Sequence, residues 1–279
     1  MSISASNYVD TPQSHRLRSA GKNNSPAELL VKTKTKTRRG KINLGGSKPR
    51  GLPLLKPLYG PGPYQYKNDR CLLVIYESDE DAIREVLPRE LEPLEGNTVA
   101  MCFFDCPDVS GIGAHNFTMP CIPVRYRNYT GQFVPYLYTS TDASLACYRE
   151  VQGWPAMLGE TTLIEAQNQI RATVVRNGRE IIAATAEVGG NKITSLDFLP
   201  IILYKEIPAL DGRKREVAYL ETSTSRLENL DFRGGSGTLS FPDPGDDPVA
   251  RLRPLKIQQA LYGTLDDFYP QTIRILHRY

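Results

Sequence analysis

The order of apolar and polar residues along positions 51–279 predicts many short strands and few helices. Residues 71–76 (CLLVIY) form an apolar run of strand length. Further strand-like segments are 98–104, 122–126, 136–139, 217–223, 237–241 and 273–276. Because no alternation of strands with long helices is visible, the pattern favours a mainly antiparallel sheet or barrel.

The clearest local signal lies in residues 164–188. Two partly alternating segments flank Asn177-Gly178, a dipeptide typical of the type I′ turn of a β-hairpin. Helical patterns are few: 79–87, and more weakly 142–150 and 194–202. For the first, Ser78 is the expected N-cap with Asp81 in capping-box register, and Pro88 ends the helix.

Charge divides the chain into a tail and a body. Residues 1–50 have a balance of +9 and residues 51–279 one of −6. The tail is rich in Ser, Asn, Lys and Gly, so we expect 1–50 to be disordered and 51–279 to form one β-rich domain. The basic run 32–41 leaves nucleic-acid contact, an anionic membrane or a cleaved targeting peptide open. A solvated tail is favoured, because no aromatic residues interleave with the charges.

Other classes are disfavoured by composition. No apolar run reaches the length of a membrane-spanning helix, and the first 30 residues lack the apolar core of a signal peptide. The five cysteines are an odd number in a long chain, which argues against a disulfide scaffold and for the cytoplasm. Neither Cys102 and Cys106 nor the scattered histidines have metal-site spacing, so we expect no metal and no cofactor.

Several motifs of the body, taken in order, resemble the acetoacetate decarboxylase superfamily. They are Gly62-Pro63-Tyr64-Gln65-Tyr66-Lys67-Asn68, Ser110-Gly111-Ile112-Gly113 with Ile122-Pro123-Val124, Arg149-Glu150-Val151-Gln152-Gly153-Trp154-Pro155, and Lys205-Glu206-Ile207-Pro208 with Asp211-Gly212 and Arg215. The resemblance implies a mainly β (α+β) fold, an antiparallel cone-like β-barrel with a few short helices around a buried pocket. It also implies a homo-oligomer and a small-molecule substrate.

The residues that carry the chemistry of this family are missing. The resemblance places a Schiff-base lysine and its cationic neighbour directly after Gly-x-Pro, where this chain has Ala156 and Met157. It places two buried glutamates at Cys102 and near Phe117. A carboxylate-binding arginine falls on Asp69, although Arg70 is adjacent. Schiff-base decarboxylation is therefore not expected.

Two side chains are candidates for acid–base catalysis. Glu150 is retained beside the turn expected to line the pocket, although a structural ion pair with Arg149 explains it equally well. His115 lies in a loop and has a suitable pKa range, although most such histidines are surface residues. Lys192 and Lys205 are expected in water, and Cys102 is expected to be small buried filler. The expected pocket comprises Tyr64, Arg70, Cys102, Phe117, Arg149, Trp154, Ala156 and Met157.

The leading hypothesis is a cofactor-independent enzyme of secondary metabolism. It would bind a mostly apolar carbonyl compound of polyketide type in an aromatic pocket and promote cyclisation, isomerisation or elimination. A non-catalytic small-molecule-binding protein and a β-keto acid decarboxylase that uses another lysine remain as alternatives. Nucleic-acid binding is not expected.

Overall fold

A computed structural model describes residues 51–279, apart from 168 and 197. Fourteen strands form a single sheet. In chain order they are β1 Tyr64–Glu77, β2 Glu92–Pro93, β3 Thr98–Cys106, β4 Asp108–Val109, β5 His115–Tyr126, β6 Tyr129–Phe133, β7 Leu137–Thr139, β8 Ala156–Leu158, β9 Glu160–Ala166, β10 Gln169–Arg176, β11 Arg179–Ile193, β12 Ile201–Pro208, β13 Arg215–Ser240 and β14 Lys256–Arg278. The mainly β prediction is confirmed. The predictions for the tail lie outside the described residues.

Seven of these strands close into a ring. The order β12-β6-β5-β3-β1-β14-β13 returns to its start because β12 also pairs with β13. From β13 the sheet continues through β11 and β10 to β9, and β9 contacts β3 and β5 on the ring. Most neighbours are antiparallel, but β12 with β6 and β7 with β8 are parallel, so the sheet is mixed. Closure leaves no free edge along the ring.

The predicted hairpin is present and has the expected turn. Strands β10 and β11 pair antiparallel across Asn177-Gly178, and both turn residues have positive φ, 52° and 75°. Asn and Gly tolerate this left-handed backbone better than other residues. Residues 189–191 lie within β11, where the register with β13 shifts between Val188 and Lys192.

Two short helices match the helical patterns, with corrections at their ends. Helix α1, Glu80–Val86, is capped by Asp79 and not by Ser78, because the Asp79 carboxylate accepts from the Ala82 N–H. The Ser78 hydroxyl donates to the Arg253 carbonyl. Helix α2, Asp142–Cys147, continues as a π-helical turn, Tyr148–Gln152.

The helix expected at 194–202 is absent from the described residues there, and β12 begins at Ile201. Its apolar residues serve the ring and its interior, so the helical spacing was coincidental. No helix within 51–279, residues 168 and 197 aside, has the length and apolarity needed to cross a bilayer.

The ring strands alternate between two apolar clusters. On β1, Leu72, Val74 and Tyr76 belong to a core outside the ring, whereas Cys71 and Leu73 belong to a cluster within it. The alternation follows from the two-residue period of a strand. We call the first cluster, which includes Ile83, Met101 and Phe103, the outer core. The second, inner cluster surrounds a cavity.

Candidate functional site

A cavity of about 470 Å³ lies inside the ring. Its wall comes from the inner faces of β1, β3, β5 and β14, from the π-helical turn, from Leu196 and from residues 198–200. The aromatic side chains on this wall are Tyr66, Phe104, Phe117, Tyr148, Trp154, Phe198 and Tyr269. A concave, largely apolar chamber with few polar groups is the usual form of a small-molecule site.

Two carboxyl groups face the cavity from neighbouring strands. Asp69 on β1 is only 2% exposed; its Oδ2 accepts from the Cys106 thiol at 3.3 Å. Asp267 on β14 accepts from the Ser225 hydroxyl at 3.0 Å through Oδ2. The other oxygen of each group, Oδ1, is buried and has no partner among the described residues.

A bulge in β1 turns Asp69 inward. Tyr66 pairs with Asp267 and Asp69 with Leu265, so β1 carries an extra residue between these pairs. Asn68 takes up the change with φ 57°. Beyond the bulge the inward positions change from even to odd numbers, and Asp69, Cys71 and Leu73 follow Tyr64 and Tyr66 into the ring.

Burial raises the pKa of both carboxyls to about 7. For Asp69, the Cys106 thiol opposes this rise, whereas the charges of Asp267, Asp266 and Asp105 add to it. For Asp267, hydrogen bonds from Ser225 and from the Phe268 backbone oppose it. Near neutral pH each group is therefore present in both its protonated and its ionised form, as general acid–base catalysis requires.

Tyr148 joins His115 to the cavity. His115 Nδ1 lies 2.8 Å from the Gly113 carbonyl, which can only accept, so this nitrogen carries the proton. Nε2 then accepts from the Tyr148 hydroxyl at 2.6 Å. Burial lowers the pKa of His115, which favours the neutral ring. His115 thus lies behind the wall and acts on the cavity through Tyr148.

Two further polar groups on the wall are unpaired. Gln152 Oε1 and Trp154 Nε1 are buried without partners among the described residues. These two residues flank Gly153, whose left-handed backbone (φ 75°) ends the π-helical turn. A Cβ at Gly153 would lie 2.7 Å from Glu221 Oε1, so glycine is required for this close approach as well.

Three residues of the expected pocket lie on the cavity wall: Cys102, Phe117 and Trp154. Cys102 lies with its Sγ 3.7 Å from Cys121 Sγ, and burial and this contact raise its pKa well above the ordinary value, as for an inert thiol. Tyr64 is buried in the inner cluster, but its hydroxyl donates to the Gly60 carbonyl and the side chain borders an adjoining cavity.

The expectation for Arg70 was wrong. Its guanidinium is 41% exposed and pairs with Asp105. Simple alternation from Tyr64 and Tyr66 would place position 70 inside, but the bulge reverses the parity and brings in Asp69 instead.

Arg149 and Glu150 are also outside the cavity. Both are exposed on the outer side of the π-helical turn, whose buried residues are Tyr148 and Gln152. Arg149 donates to the Ala156 carbonyl at 3.1 Å, and Glu150 accepts from the Tyr59 hydroxyl. Glu150 therefore does not reach a substrate in this chamber.

The two positions expected to hold the nucleophile and its neighbour lie on β8 and point apart. Ala156 is buried in the inner cluster behind the cavity wall, and Met157 packs against the outer core with its sulfur 3.0 Å from Arg176 Nη1. Lys205 donates to the Val151 carbonyl at 2.8 Å, and Lys192 pairs with Asp231 at 2.9 Å. Among the described residues, no lysine, arginine or histidine side chain lines the cavity.

Comparison with known proteins identifies the family. The model of the acetoacetate decarboxylase (ADC) family matches residues 52–279. The chain belongs to this family. The resemblance read from the motifs is thereby confirmed.

The relatives by sequence are named decarboxylases. Acetoacetate decarboxylase 2 of Mesorhizobium japonicum is 28% identical over 226 residues, which is 77% of this chain and 84% of that protein. Acetoacetate decarboxylase of Clostridium beijerinckii is 27% identical over 235 residues, 81% of this chain and 94% of that protein.

Solved structures show the same fold. Acetoacetate decarboxylase of Legionella pneumophila superposes with a TM-score of 0.75 at 23% identity and covers 87% of this chain and 99% of its own. The enduracididine biosynthesis enzyme MppR superposes with a TM-score of 0.72 at 17% identity, covering 85% and 98%. The fold is thus shared by a decarboxylase and by a biosynthetic enzyme.

Three polar wall residues escaped the sequence analysis: Asp69 as a catalytic candidate, Asp267 and Gln152. A polar residue at an inward position of an apolar strand is the signal that could have found them. The resemblance already placed position 69 at the pocket, but as the site of an arginine, so the aspartate was not considered there; for Asp267 the strand around it was not recognised. Among the described residues, no group of three or more His, Cys, Asp or Glu is placed to hold a metal ion.

Proposed function

We propose that this protein is a lysine-independent acid–base enzyme that enolises a mostly apolar carbonyl compound and so promotes its isomerisation, elimination or cyclisation. The observation that carries the proposal is that Asp69 and Asp267, both with a raised pKa, line a chamber on whose wall the described residues place no lysine side chain. A Schiff base needs an uncharged lysine amine beside the substrate. Lys192 and Lys205, the two candidates, are both engaged outside the cavity.

The chemical step uses one ionised and one protonated carboxyl. The ionised group removes a proton from the carbon next to the substrate carbonyl, and the electron pair of that C–H bond moves into the new C=C bond. The carbonyl oxygen takes a proton from the other carboxyl, which gives the neutral enol. A general base and a general acid each contribute roughly 10²–10⁴-fold to such a step.

The enol is the branch point for the three outcomes. Reprotonation at a different carbon isomerises the substrate. Departure of a substituent from the β-carbon completes an elimination, and attack of the enol carbon on a second carbonyl closes a ring. The aromatic wall would hold a folded conformer in which the reacting carbons are close, which supports cyclisation of a polyketide-type substrate.

His115 has a positioning role in this scheme. By accepting from the Tyr148 hydroxyl, it fixes the orientation of a polar group on the wall. His115→Gln should lower kcat several-fold and change KM much less. Tyr148→Phe should have the same effect, because both variants remove the hydrogen bond between the Tyr148 hydroxyl and His115.

The direct test is hydrogen–deuterium exchange of a neutral ketone. The protein is incubated in D₂O with 4-phenyl-2-butanone, and deuterium at the carbons beside the carbonyl is followed by mass spectrometry. We expect exchange well above the buffer rate and a loss of roughly 10²-fold or more in Asp69→Asn and in Asp267→Asn.

Glu150→Gln is the matched control, because it makes the same carboxyl-to-amide change just outside the cavity. It should exchange the ketone at the wild-type rate. If Glu150→Gln lost exchange while both aspartate variants kept the wild-type rate, Glu150 would be the catalytic group and the proposed roles of Asp69 and Asp267 would be wrong. Wild-type exchange at the buffer rate would favour the binding-protein alternative.

Borohydride trapping with acetoacetate tests the decarboxylase alternative. We expect no reduced adduct on any lysine by peptide mass mapping. A stable adduct, above all on Lys192 or Lys205, would overturn the proposal.

Cellular location and assembly form part of the proposal. We place the protein in the cytoplasm as a homo-oligomer that acts on a small-molecule substrate. Light scattering during size-exclusion chromatography tests the oligomeric state, and a monomer would contradict it.

A further inference from the structure

We infer that the substrate of this cavity carries a positively charged nitrogen with N–H donors, an ammonium or amidinium group, beside its apolar body. This inference names the substrate class of the proposed enzyme and so rests on the proposed function. It is carried by the unpaired groups on the wall, the charges that surround them and the aromatic rings between them.

The unpaired polar atoms on the wall are mostly acceptors. Asp69 Oδ1, Asp267 Oδ1 and Gln152 Oε1 are buried without partners, against the single donor Trp154 Nε1. Asp69 and Gln152 are only 2% and 6% exposed, so their unpaired oxygens cannot turn to bulk water. An ammonium has three donors and no acceptor. Such a group satisfies this arrangement, whereas a carboxylate, with acceptors only, does not.

The charged groups that act on Asp69 have one sign. The titratable groups that act on Asp69 are Cys106, Asp267, Asp266 and Asp105, none of which is a cation. The nearest guanidinium, Arg70, lies on the opposite face of β1 and pairs with Asp105. An ionised member of the pair is therefore uncompensated, and a buried uncompensated charge is costly until a counterion arrives.

Around Asp267 the direct partners are uncharged, although Lys67 and Arg226 line a neighbouring cleft together with Asp266 and Glu228. Ser225 and the Phe268 backbone bind its carboxyl, and the Tyr66 ring lies nearby. If the pair holds one proton, it carries one negative charge, which matches one charged nitrogen on the substrate. The protonated member then remains available as the acid of the proposed reaction.

The aromatic wall suits the same ligand. Phe104 and Phe117 stack with ring centroids 4.5 Å apart, and Trp154 lies 6.2 Å from Tyr148 and 5.7 Å from Tyr269. Aromatic faces attract a desolvated cation and also bury an apolar body. Both parts of the inferred substrate find surfaces of the right kind in one chamber.

The experiment compares three probes of equal size and different charge: 3-phenylpropylamine, 3-phenylpropanol and 3-phenylpropanoate. Binding is followed by calorimetry and by the fluorescence of Trp154, the only tryptophan of the chain. At about pH 8, where the carboxyls are ionised, we expect the amine to bind at least about tenfold more tightly than the alcohol and the carboxylate to bind most weakly.

Acidification supplies a second readout that needs no variant. The amine stays protonated throughout, so its preference over the alcohol should shrink as the pH falls through about 7, the pKa of Asp69 and Asp267. The carboxylate should bind more tightly over the same range. Equal affinities for amine and alcohol at about pH 8, or tighter binding of the carboxylate, would overturn the inference.

Asp69→Asn and Asp267→Asn should each weaken amine binding by about tenfold and leave alcohol binding within about twofold. Glu150→Gln, outside the cavity, should change neither. Amine binding that is unaltered in both aspartate variants would also overturn the inference. Circular dichroism of each variant confirms that it is folded.

The outcome separates this inference from the proposed function. Amine preference without ketone exchange would leave the charge inference standing and remove the enolisation proposal. Ketone exchange without amine preference would support the enolisation proposal and remove the inference of a positively charged substrate.

Discussion

The strands of the ring present two different faces, and both are buried. On the outer core, the large polar groups are mostly paired: Tyr76 donates to the Leu252 carbonyl, Tyr138 to Asp247 and Tyr262 to Glu165. On the inner face, two carboxyl oxygens, an amide oxygen and an indole N–H are unpaired. The same strands supply both faces through alternate residues.

This difference separates stability from function. A buried polar group without a partner costs free energy, so a face built only for stability does not accumulate such groups. Four unpaired groups converging on one cavity indicate that a ligand supplies the missing partners. Asp247 and Asp69 illustrate the contrast, because both are buried carboxyls and only the first has its charge compensated.

The largest effect is expected from truncating the outer core. Phe103→Ala removes a fully buried ring and should lower the free energy of unfolding by about 3–5 kcal/mol, measured by urea denaturation. Phe117→Ala on the cavity wall should cost clearly less, because its ring already borders empty space. Equal costs would mean that the two faces are packed alike.

Next in size is a gain of stability on the inner face. Burial raises the pKa of Asp69 from 3.8 to about 7, so its native-state protonation stabilises the fold below about pH 4 and this contribution is lost as the pH rises through about 7. Asp69→Asn has no carboxyl to ionise, so it does not lose this stability as the pH rises. We expect it to be more stable than the wild type at about pH 8, by about 2–4 kcal/mol.

The two proteins should converge below about pH 4. The lowered pKa of His115 removes stability on the acid side in both proteins, so the difference between their pH profiles reports Asp69 alone. A variant that is less stable than the wild type at high pH would contradict the account of this carboxyl.

The matched change on the outer face should have the opposite sign. Asp247 accepts from Arg176 at 2.9 Å, from the Val249 N–H at 3.1 Å and from the Tyr138 hydroxyl. Asp247→Asn leaves the half-buried Arg176 without its counter-charge and should cost about 2 kcal/mol in urea denaturation. Stabilisation by this variant at about pH 8 would erase the distinction between the faces.

The smallest effect is expected at the hairpin. Gly178 has φ 75°, so Gly178→Ala should cost about 1 kcal/mol through backbone strain alone. Amine binding should stay unchanged, since the turn lies away from the cavity wall. Weaker binding in this variant would show that the outer hairpin shapes the chamber.

Prediction from sequence succeeded where short-range chemistry decides and failed where pairing register decides. The hairpin turn and helix α1 were placed correctly from a few residues each. Arg70 was placed in the pocket as a one-residue shift from Asp69, where the resemblance puts an arginine, whereas the bulge turns Asp69 itself inward. Glu150 was chosen because it is retained beside the turn expected to line the pocket, but a π-helical turn, which leaves no pattern in the sequence, buries Gln152 and exposes Glu150.

The absence of an amine at Ala156 and Met157 could be read from the chain directly, because a side chain that cannot form a Schiff base cannot do so in any fold. The placement of Asp69 and Asp267 on one wall could not, because it depends on β1 and β14 meeting across almost the whole domain. It requires these two strands to pair and the bulge at Asn68 to set the parity. Both conditions depend on hydrogen bonds between distant strands, and no local preference of the sequence encodes them.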